Sequence, residues 1–487
     1  MDGFDDFKER IERDGLAPVI DTMPADLHTP LSVFLKISND QKNAFLLESV
    51  EGGERLARYS FVGADPDFVI YASGDSLKYV DARGPRQISV PLIEYMRNVL
   101  DEYRMEDTAE LPPFLGGLIG YLGFDCVEWF EPSLRSSNLS DSRFMAFSSV
   151  IAFDHVKQVI QLISLVRSAG DTKEASHLFE QAKAQNGRLR TKLETLPVRL
   201  PPHGEEQSNR NVNSNFERED FENAVARGKE YIYAGDCYQV VLSQKFSRST
   251  AASDVSIYRA IRSTNPSPYM FLLRFDDKSI IGASPEMLVR CTGKRLEYRP
   301  IAGTRRRGKT PQEDAQLADE MSCDQKEVAE HLMLVDLGRN DLGRIAEYGS
   351  VKVDELMKVE KYSHVQHLVS SLSATLRDDR DRFDALASCF PAGTVSGAPK
   401  VRSVEIIREL EPDDRGIYAG AVGYFDYSGN MDTCIAIRTL VLDSGVATIQ
   451  AGAGIVADSV PAAEYEETVN KAKALLKAIE LAESGEF

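Results

Sequence analysis

SSVIAFDHVKQVIQLISLV, residues 148–166, sets the reading of the fold: apolar residues in short alternating runs, broken by a polar turn, predict antiparallel strands joined closely in sequence. Working outward, FVIYA (68–72) and SLKYVDA (76–82) repeat the pattern across Gly74-Asp75. The GDSL string there matches the start of a hydrolase signature, but a hairpin turn accounts for its Gly and Asp without any chemistry. Further along, QVVLSQKFS, YMFLLRF, SIIGAS, AGAVGYF and CIAIRTLVL read as strands. They alternate with helical stretches at 95–103, 173–185, 219–234, 312–345, 400–410 and 461–483. Between 184 and about 220, Pro, Asn, Gly and charge replace the apolar period, which predicts a surface linker. Strands grouped in hairpins with helices interspersed imply an α+β fold with largely antiparallel sheets.

Composition narrows the function classes. The 487 residues include 43% hydrophobic and 27% charged side chains, as expected of a folded globular protein with room for two or more domains. Lys plus Arg number 57 and Asp plus Glu 76, so 57 − 76 leaves −19. That balance repels nucleic acid and anionic membranes, and an anionic substrate would need local cations. The start, MDGFDDFKERIERDG, has the character of neither a secretory signal nor a transit peptide, and no run is apolar for long enough to span a bilayer. Six scattered cysteines, without CxxC or Cys/His grouping, argue against disulfides and zinc, so a cytoplasmic location is expected. GTVSG (393–397) and GLIGYLG (117–123) have the wrong spacings for a nucleophile elbow and a dinucleotide loop.

Two carboxylate pairs carry more chemistry. Glu327 and Glu330 are three apart and share one face of a predicted helix. Glu464 and Glu467 repeat the spacing on the last helix, where Ser459 is the expected cap and Pro461 the first-turn residue. A solvated acidic face is the plain alternative. If the helices converge, like charges at 4 Å repel by about 4 kcal/mol at an effective dielectric of 20. A hard divalent cation, best Mg²⁺, would relieve that and would draw in an anion. PIAGTRRRGK (300–309) and AGAG (451–454) offer close backbone amides, and Arg438, in strand-like CIAIRTL, offers a two-pronged contact to a carboxylate. The triplet Arg305–Arg307 reads as a solvated turn that could also steer a charged substrate.

SPE (284–286), RPIAGT (299–304), KEVAEHLMLVDLGRNDLGR (326–344), YSHVQHLVS (362–370), FPAGTVSGAPK (390–400), IYAGAVGYF (417–425) and AGAGIVADSVPAAEYEETVNKAKA (451–474) together resemble the chorismate-utilising enzymes. LLES, RYSFVG and GGLIGYLGFD extend the likeness more thinly before residue 130. The resemblance implies an interwoven four-layer α+β sandwich of two packed antiparallel sheets with helices outside. It implies an N-terminal regulatory part over 1–200 and a chorismate-binding core over 213–487, interleaved. It assigns Glu330 and Glu467 to Mg²⁺, with Glu327 and Glu464 nearby. Gly303, Thr304, Tyr418, Arg438, Gly452 and Gly454 fall to the substrate's carboxylates and enolpyruvyl arm. Glu286 is the acid for the departing C4 hydroxyl, and His367 belongs to pyruvate elimination. Glu48, Ser49, Pro268, Tyr269 and Met270 resemble a feedback L-tryptophan site.

Two positions speak to the nucleophile. Water-using relatives carry a lysine base where Gln239 stands, and an amide cannot act as that base, whereas ammonia needs only orientation. Ala302 stands where aminodeoxychorismate synthases have a nucleophilic lysine. The expectation is amination of chorismate at C2, then pyruvate loss to anthranilate. No G-x-C-x-G glutaminase elbow is present, so ammonia is expected from a separate glutamine amidotransferase subunit. Aminodeoxychorismate or aminodeoxyisochorismate synthesis, and a non-catalytic tryptophan-binding role, remain the alternatives.

Overall fold

Two antiparallel sheets combine hairpins of consecutive strands with pairings between strands far apart in sequence. In the computed structural model residues 3–39, 41–49, 58–101, 105, 110–135, 141–168, 174–201, 211–362 and 365–486 are described; His364 of the YSHVQHLVS motif lies outside them. Ser149–Asp154 pairs with Val159–Arg167, and Phe68–Ser73 with Ser76–Asp81 around Gly74, whose φ of 56° is the left-handed turn conformation. The first sheet runs, edge to edge, Leu16–Pro24, Val159–Arg167, Ser149–Asp154, Tyr59–Ala64, Asn43–Glu48, Tyr269–Phe275, Lys278–Ser284, Thr439–Asp443, Val446–Ile455, Gln239–Ser249 and Asn213–Ser214. Gly397–Ala398 also pairs with the Gln239 strand. The second runs Ile301–Arg306, Val365–Thr375, Arg295–Tyr298, Met287–Thr292, Met431–Ile435, Ala421–Asp426, Gly117–Leu122, Asp141–Phe147, Phe68–Ser73, Ser76–Asp81 and Gly84–Ile88, with Lys352–Lys361 also on the Val365 strand.

The inner faces of the two sheets share one core. Phe45, Phe61, Phe271 and Leu273 from the first sheet meet Leu118, Phe144, Tyr424 and Val289 from the second. Each large apolar side chain buried this way contributes about 1.5–3 kcal/mol. A second cluster joins the outer face of the first sheet to the helices Pro30–Ser38, Asp254–Thr264 and Pro461–Ser484. Gln325–Gly343 and Arg382–Cys389 lie against the second sheet. The result is the α+β sandwich expected, with helices outside two packed sheets.

Three local expectations need correction. The helix expected over 312–345 is two helices, Pro311–Cys323 and Gln325–Gly343. Asp324 between them is extended, and its carboxylate accepts the Lys326 and Glu327 N–H groups, so a capping side chain restarts the helix. The linker does not begin at 184: the helix Ala175–Thr195 continues because Asn186, fully buried, accepts from Ser164 and donates to the Val19 carbonyl. Ser459 is not the cap of the last helix. Val460 holds that position, and the Ser459 hydroxyl turns back to accept the Val456 N–H.

Candidate active site

The site lies where two neighbouring segments cross between the sheets in opposite directions. Lys278–Ser284 passes through Pro285-Glu286 into Met287–Thr292, and Met431–Ile435 passes through Ala436–Arg438 into Thr439–Asp443. The crossovers are bonded to each other: the Ser284 hydroxyl donates to the Ile435 carbonyl at 2.7 Å, the Ile435 N–H to the Glu286 carbonyl at 3.1 Å, and the Ala283 N–H to the Arg438 carbonyl at 3.2 Å. Arg438 is therefore not a strand residue, contrary to the expectation from CIAIRTL. Its φ of 49° marks the bend, and this costly conformation is held by the bonds around it.

A cavity of about 710 Å³ opens at this junction. Its lining brings together Gln239, Glu286, Gly303, Thr304, His367, Tyr418, Arg438, Gly452 and Gly454, together with Glu327, Glu330, Glu464 and Glu467. Glu286 is 6% exposed, and burial pushes its carboxyl up to about 8, with the facing Thr394 hydroxyl only partly opposing this. It is consequently a neutral acid at pH 7. His367 is also buried and held below its ordinary range, first by burial and further by the Arg438 charge, against an opposing Gly303 carbonyl. Its Nδ1 lies 2.9 Å from the Gly303 carbonyl and 3.1 Å from Thr304 Oγ1. Since a carbonyl only accepts, Nδ1 carries the proton and Nε2 is left as an acceptor. Among the described residues Arg438 pairs with no carboxylate; Asn265 Oδ1, at 3.3 Å, is the acceptor on it, and burial lowers its pKa. A buried guanidinium in this state is set for an anionic ligand.

Three glycines fix the walls. Gly303 has a φ of 61°, and a Cβ there would stand 3.0 Å from Glu327 Oε2 and 3.2 Å from Met321 Sδ. A Cβ on Gly452 would come within 2.7 Å of the Tyr418 hydroxyl, and one on Gly454 within 2.6 Å of Gln239 Nε2. Side-chain amide and phenol are thus seated directly on backbone.

The acidic wall comes from helices of opposite outer layers. Burial raises the Glu330 carboxyl, and the charges of Glu327, Glu467 and Glu464 add to the rise against Lys326. Burial raises Glu464 too, opposed by the Ser459 hydroxyl and reinforced by Glu467. Each of the other two has its own cation: Glu327 Oε1 is 2.8 Å from Arg305 and Glu467 Oε1 2.7 Å from Lys471. Among the described residues no three acidic, His or Cys side chains form a ready-made cation cage. The donors are all hard carboxylate oxygens that repel one another, which suits an ion taking few protein ligands and completing its shell with water and substrate. The Arg305–Arg307 triplet is not a free turn: Arg305 bonds Glu327, Arg306 bonds Glu313 and Arg307 bonds Asp314. Two wall residues escaped the sequence reading. Lys471 also donates to the Gly452 carbonyl at 3.0 Å, and its i,i+4 spacing from Glu467 was the available signal. Thr394 lies within the quoted FPAGTVSGAPK motif, where nothing local marks it.

A second cavity, of about 600 Å³, lies between the sheets and takes residues from both of them. Glu48, Ser49, Pro268, Tyr269 and Met270 line it together with Arg290 and Asp432. Tyr269 donates to Asp432 Oδ1 at 3.1 Å, Arg290 Nε to Asp432 Oδ2 at 2.9 Å, and the buried Ser49 hydroxyl has no partner among the described residues.

Comparison with known proteins agrees with this architecture. The chorismate binding enzyme family matches residues 42–477. Anthranilate synthase component 1 of Pseudomonas putida is 46% identical over 475 residues, covering 94% of each chain. That of Acetivibrio thermocellus is 44% identical, covering 97% of this chain and 96% of its own. The crystal structure of anthranilate synthase component I from Streptococcus pneumoniae superposes with a TM-score of 0.72 at 36% identity, covering 88% of this chain and 95% of that one. The menaquinone-specific isochorismate synthase of Escherichia coli shares the fold, with a TM-score of 0.71 at 20% identity over 96% of this chain and 95% of that one. With a family match across most of its length and such relatives along nearly all of it, the chain belongs to the chorismate-binding enzymes, in their anthranilate synthase component I branch.

Proposed function

We propose that this enzyme aminates chorismate at C2 with ammonia and then eliminates pyruvate to give anthranilate, the step that commits chorismate to tryptophan synthesis. The observation that carries the reading is one cavity holding a neutral buried Glu286, a buried Arg438 that meets no carboxylate among the described residues and a wall of mutually repelling glutamates. Arg438 and the amides near Gly303, Gly452 and Gly454 bind substrate carboxylate and enolpyruvyl oxygens. Glu330 and Glu467, with Glu327 and Glu464 nearby, would hold Mg²⁺. When bound, the ion supplies positive charge that neutralises a substrate carboxylate. Gln239 orients ammonia, which brings its own lone pair. As the C2–N bond forms, the ring double bonds shift and the C4 hydroxyl leaves as water with the proton of Glu286. In the second step the C2 proton passes to a base as the C3–O bond breaks and the ring becomes aromatic, and the departing enolpyruvate takes up a proton at its methylene carbon to become pyruvate. His367, neutral with Nε2 unprotonated, is the acceptor near that event. Tyr418, whose phenol burial pushes up to about 12, stays a neutral donor throughout.

The ammonia comes from a separate glutaminase subunit, and L-tryptophan inhibits from the second cavity, where the Ser49 hydroxyl, without a partner among the described residues, and the Arg290–Asp432 pair suit the polar groups of an amino acid. Six free cysteines fit a cytoplasmic enzyme. The test is the product. Purified chain with chorismate, Mg²⁺ and ammonium should yield fluorescent anthranilate and equimolar pyruvate, with none from glutamine alone. Accumulation of a non-aromatic amine, or turnover of glutamine by this chain unaided, would refute the reading. Tryptophan should suppress the ammonia-dependent rate, and Ser49→Phe should relieve that suppression.

A further inference from the structure

We propose that the buried ion pair Arg415–Glu411, which does not itself line the cavity, is a positioning device that sets three walls of the active site from behind. Arg415 is 3% exposed. Its Nη1 donates to the Val395 carbonyl at 2.7 Å and its Nη2 to the Val241 carbonyl at 2.7 Å. The same guanidinium grips Glu411 twice, Nη2 to Oε1 at 2.6 Å and Nε to Oε2 at 2.9 Å. Its cationic carbon stands 4.6 Å over the Phe124 ring and 5.5 Å from that of Tyr418.

The contacts to Val241, Val395 and Tyr418 end on residues that line the cavity. Val241 is two residues beyond Gln239 and registers opposite Gly454. Val395 follows Thr394, whose hydroxyl faces Glu286. Glu411 extends the device: Oε1 accepts the Ser243 N–H and hydroxyl, both at 2.8 Å, and Ser243 registers opposite Gly452. Gln450, a lining residue, donates to the Ser243 hydroxyl at 2.9 Å. One planar fork thus fixes the Gln239 strand, the Thr394 loop and the Tyr418 ring in common, which a lysine's point charge cannot do. A buried pair contributes little stability over apolar packing of the same volume, so geometry is the better account of its presence.

The inference rests on the catalytic reading above, and the experiment separates the two. Wild type, Arg415→Ala and Glu411→Gln are assayed with chorismate, Mg²⁺ and ammonium, and rates are expressed per folded molecule from circular dichroism. In Arg415→Ala, kcat should fall on the order of 10²-fold, the loss that small misplacements of catalytic groups produce. KM for chorismate should move less than kcat, because Arg438 is untouched. A cleft of about 130 Å³, lined by Phe124, Asp125, Arg408, Glu411, Pro412 and Arg415, leads to the vacated position, so added guanidinium should restore part of the rate. Glu411→Gln should fall in the same direction by less. Should Arg415→Ala fail to fold, Arg415→Lys carries the test: it keeps the charge, loses the fork and should show the same split of kcat from KM. Wild-type constants per folded molecule in the folded variants would overturn the positioning role alone. A wild-type chain inert toward chorismate and ammonium would instead overturn the catalytic reading, and this inference with it.

Discussion

Glu286 and Arg438 show how burial sets function at single residues. Glu286 ionises near 4.5 in the unfolded chain and at about 8 in the fold, so the folded state holds a proton that the unfolded state has lost. Stability therefore falls as pH rises from the lower value to the higher, by up to about 1.4 kcal/mol per pH unit. Glu286→Gln removes that term: its melting temperature should exceed that of wild type at pH 7 to 8, with the gap closing toward pH 5, while turnover drops roughly 10²–10⁴-fold. In wild type, with free ammonia held constant, the rate should decline as pH passes about 8 and the acid loses its proton. Arg438 behaves analogously. A guanidinium buried without a carboxylate is a cost to the empty fold, so Arg438→Met should unfold at higher temperature yet raise KM for chorismate by about 10²-fold, equivalent to roughly 3 kcal/mol. Thermal melts and steady-state kinetics on one preparation check both halves.

At the scale of elements, helix starts and strand pairings aim these side chains. Asp324 interrupts what would otherwise be one long helix and begins the one carrying Glu327 and Glu330. Asp324→Ala should cost about 1 kcal/mol in urea unfolding, as loss of an N-cap does, and should weaken Mg²⁺ binding measured by calorimetry. The paired strands Gln239–Ser249 and Val446–Ile455 act through register. Gly454 faces Val241, and the space above its Cα is taken by the Gln239 amide. Gly454→Ala should displace that amide and raise KM for ammonium, leaving the melting temperature within a few degrees. An unchanged KM would mean that Gln239 does not orient the nucleophile.

For the whole molecule, the controlling fact is that both sheets are made from the two ends of the chain. Asn43–Glu48 lies between Tyr59–Ala64 and Tyr269–Phe275, and Gly117–Leu122 between Ala421–Asp426 and Asp141–Phe147. A fragment of residues 213–487 would expose the sheet edges and inner faces that these strands cover. It should be insoluble or unfolded when expressed alone, and the full chain should unfold in one calorimetric transition. One continuous segment reaches both cavities: Asp432 and Cys434, on Met431–Ile435, line one, and Ile437 and Arg438, in the crossover just beyond that strand, line the other. How much of this was legible in the sequence depends on the range of the forces involved. Alternation at 68–82 and 148–166, the turn at Gly74 and the helical three-residue spacing of Glu327 with Glu330 are local, and residues a few positions apart determine them. The motifs likewise identified the family and nominated residues that line one cavity. The buried Asn186 that prolongs a helix and the bend at Arg438 were not legible, because each depends on a partner far along the chain; the Asp324 break is local, but helical periodicity on both sides of it concealed the cap. The sequence by itself determined which elements form and which residue types carry the chemistry, since propensity and periodicity act over a few residues. Only the tertiary structure decided that Glu286 is neutral, that Arg438 meets no carboxylate among the described residues and that Arg415 braces the wall, because desolvation and hydrogen bonding across two sheets exist only once they have packed.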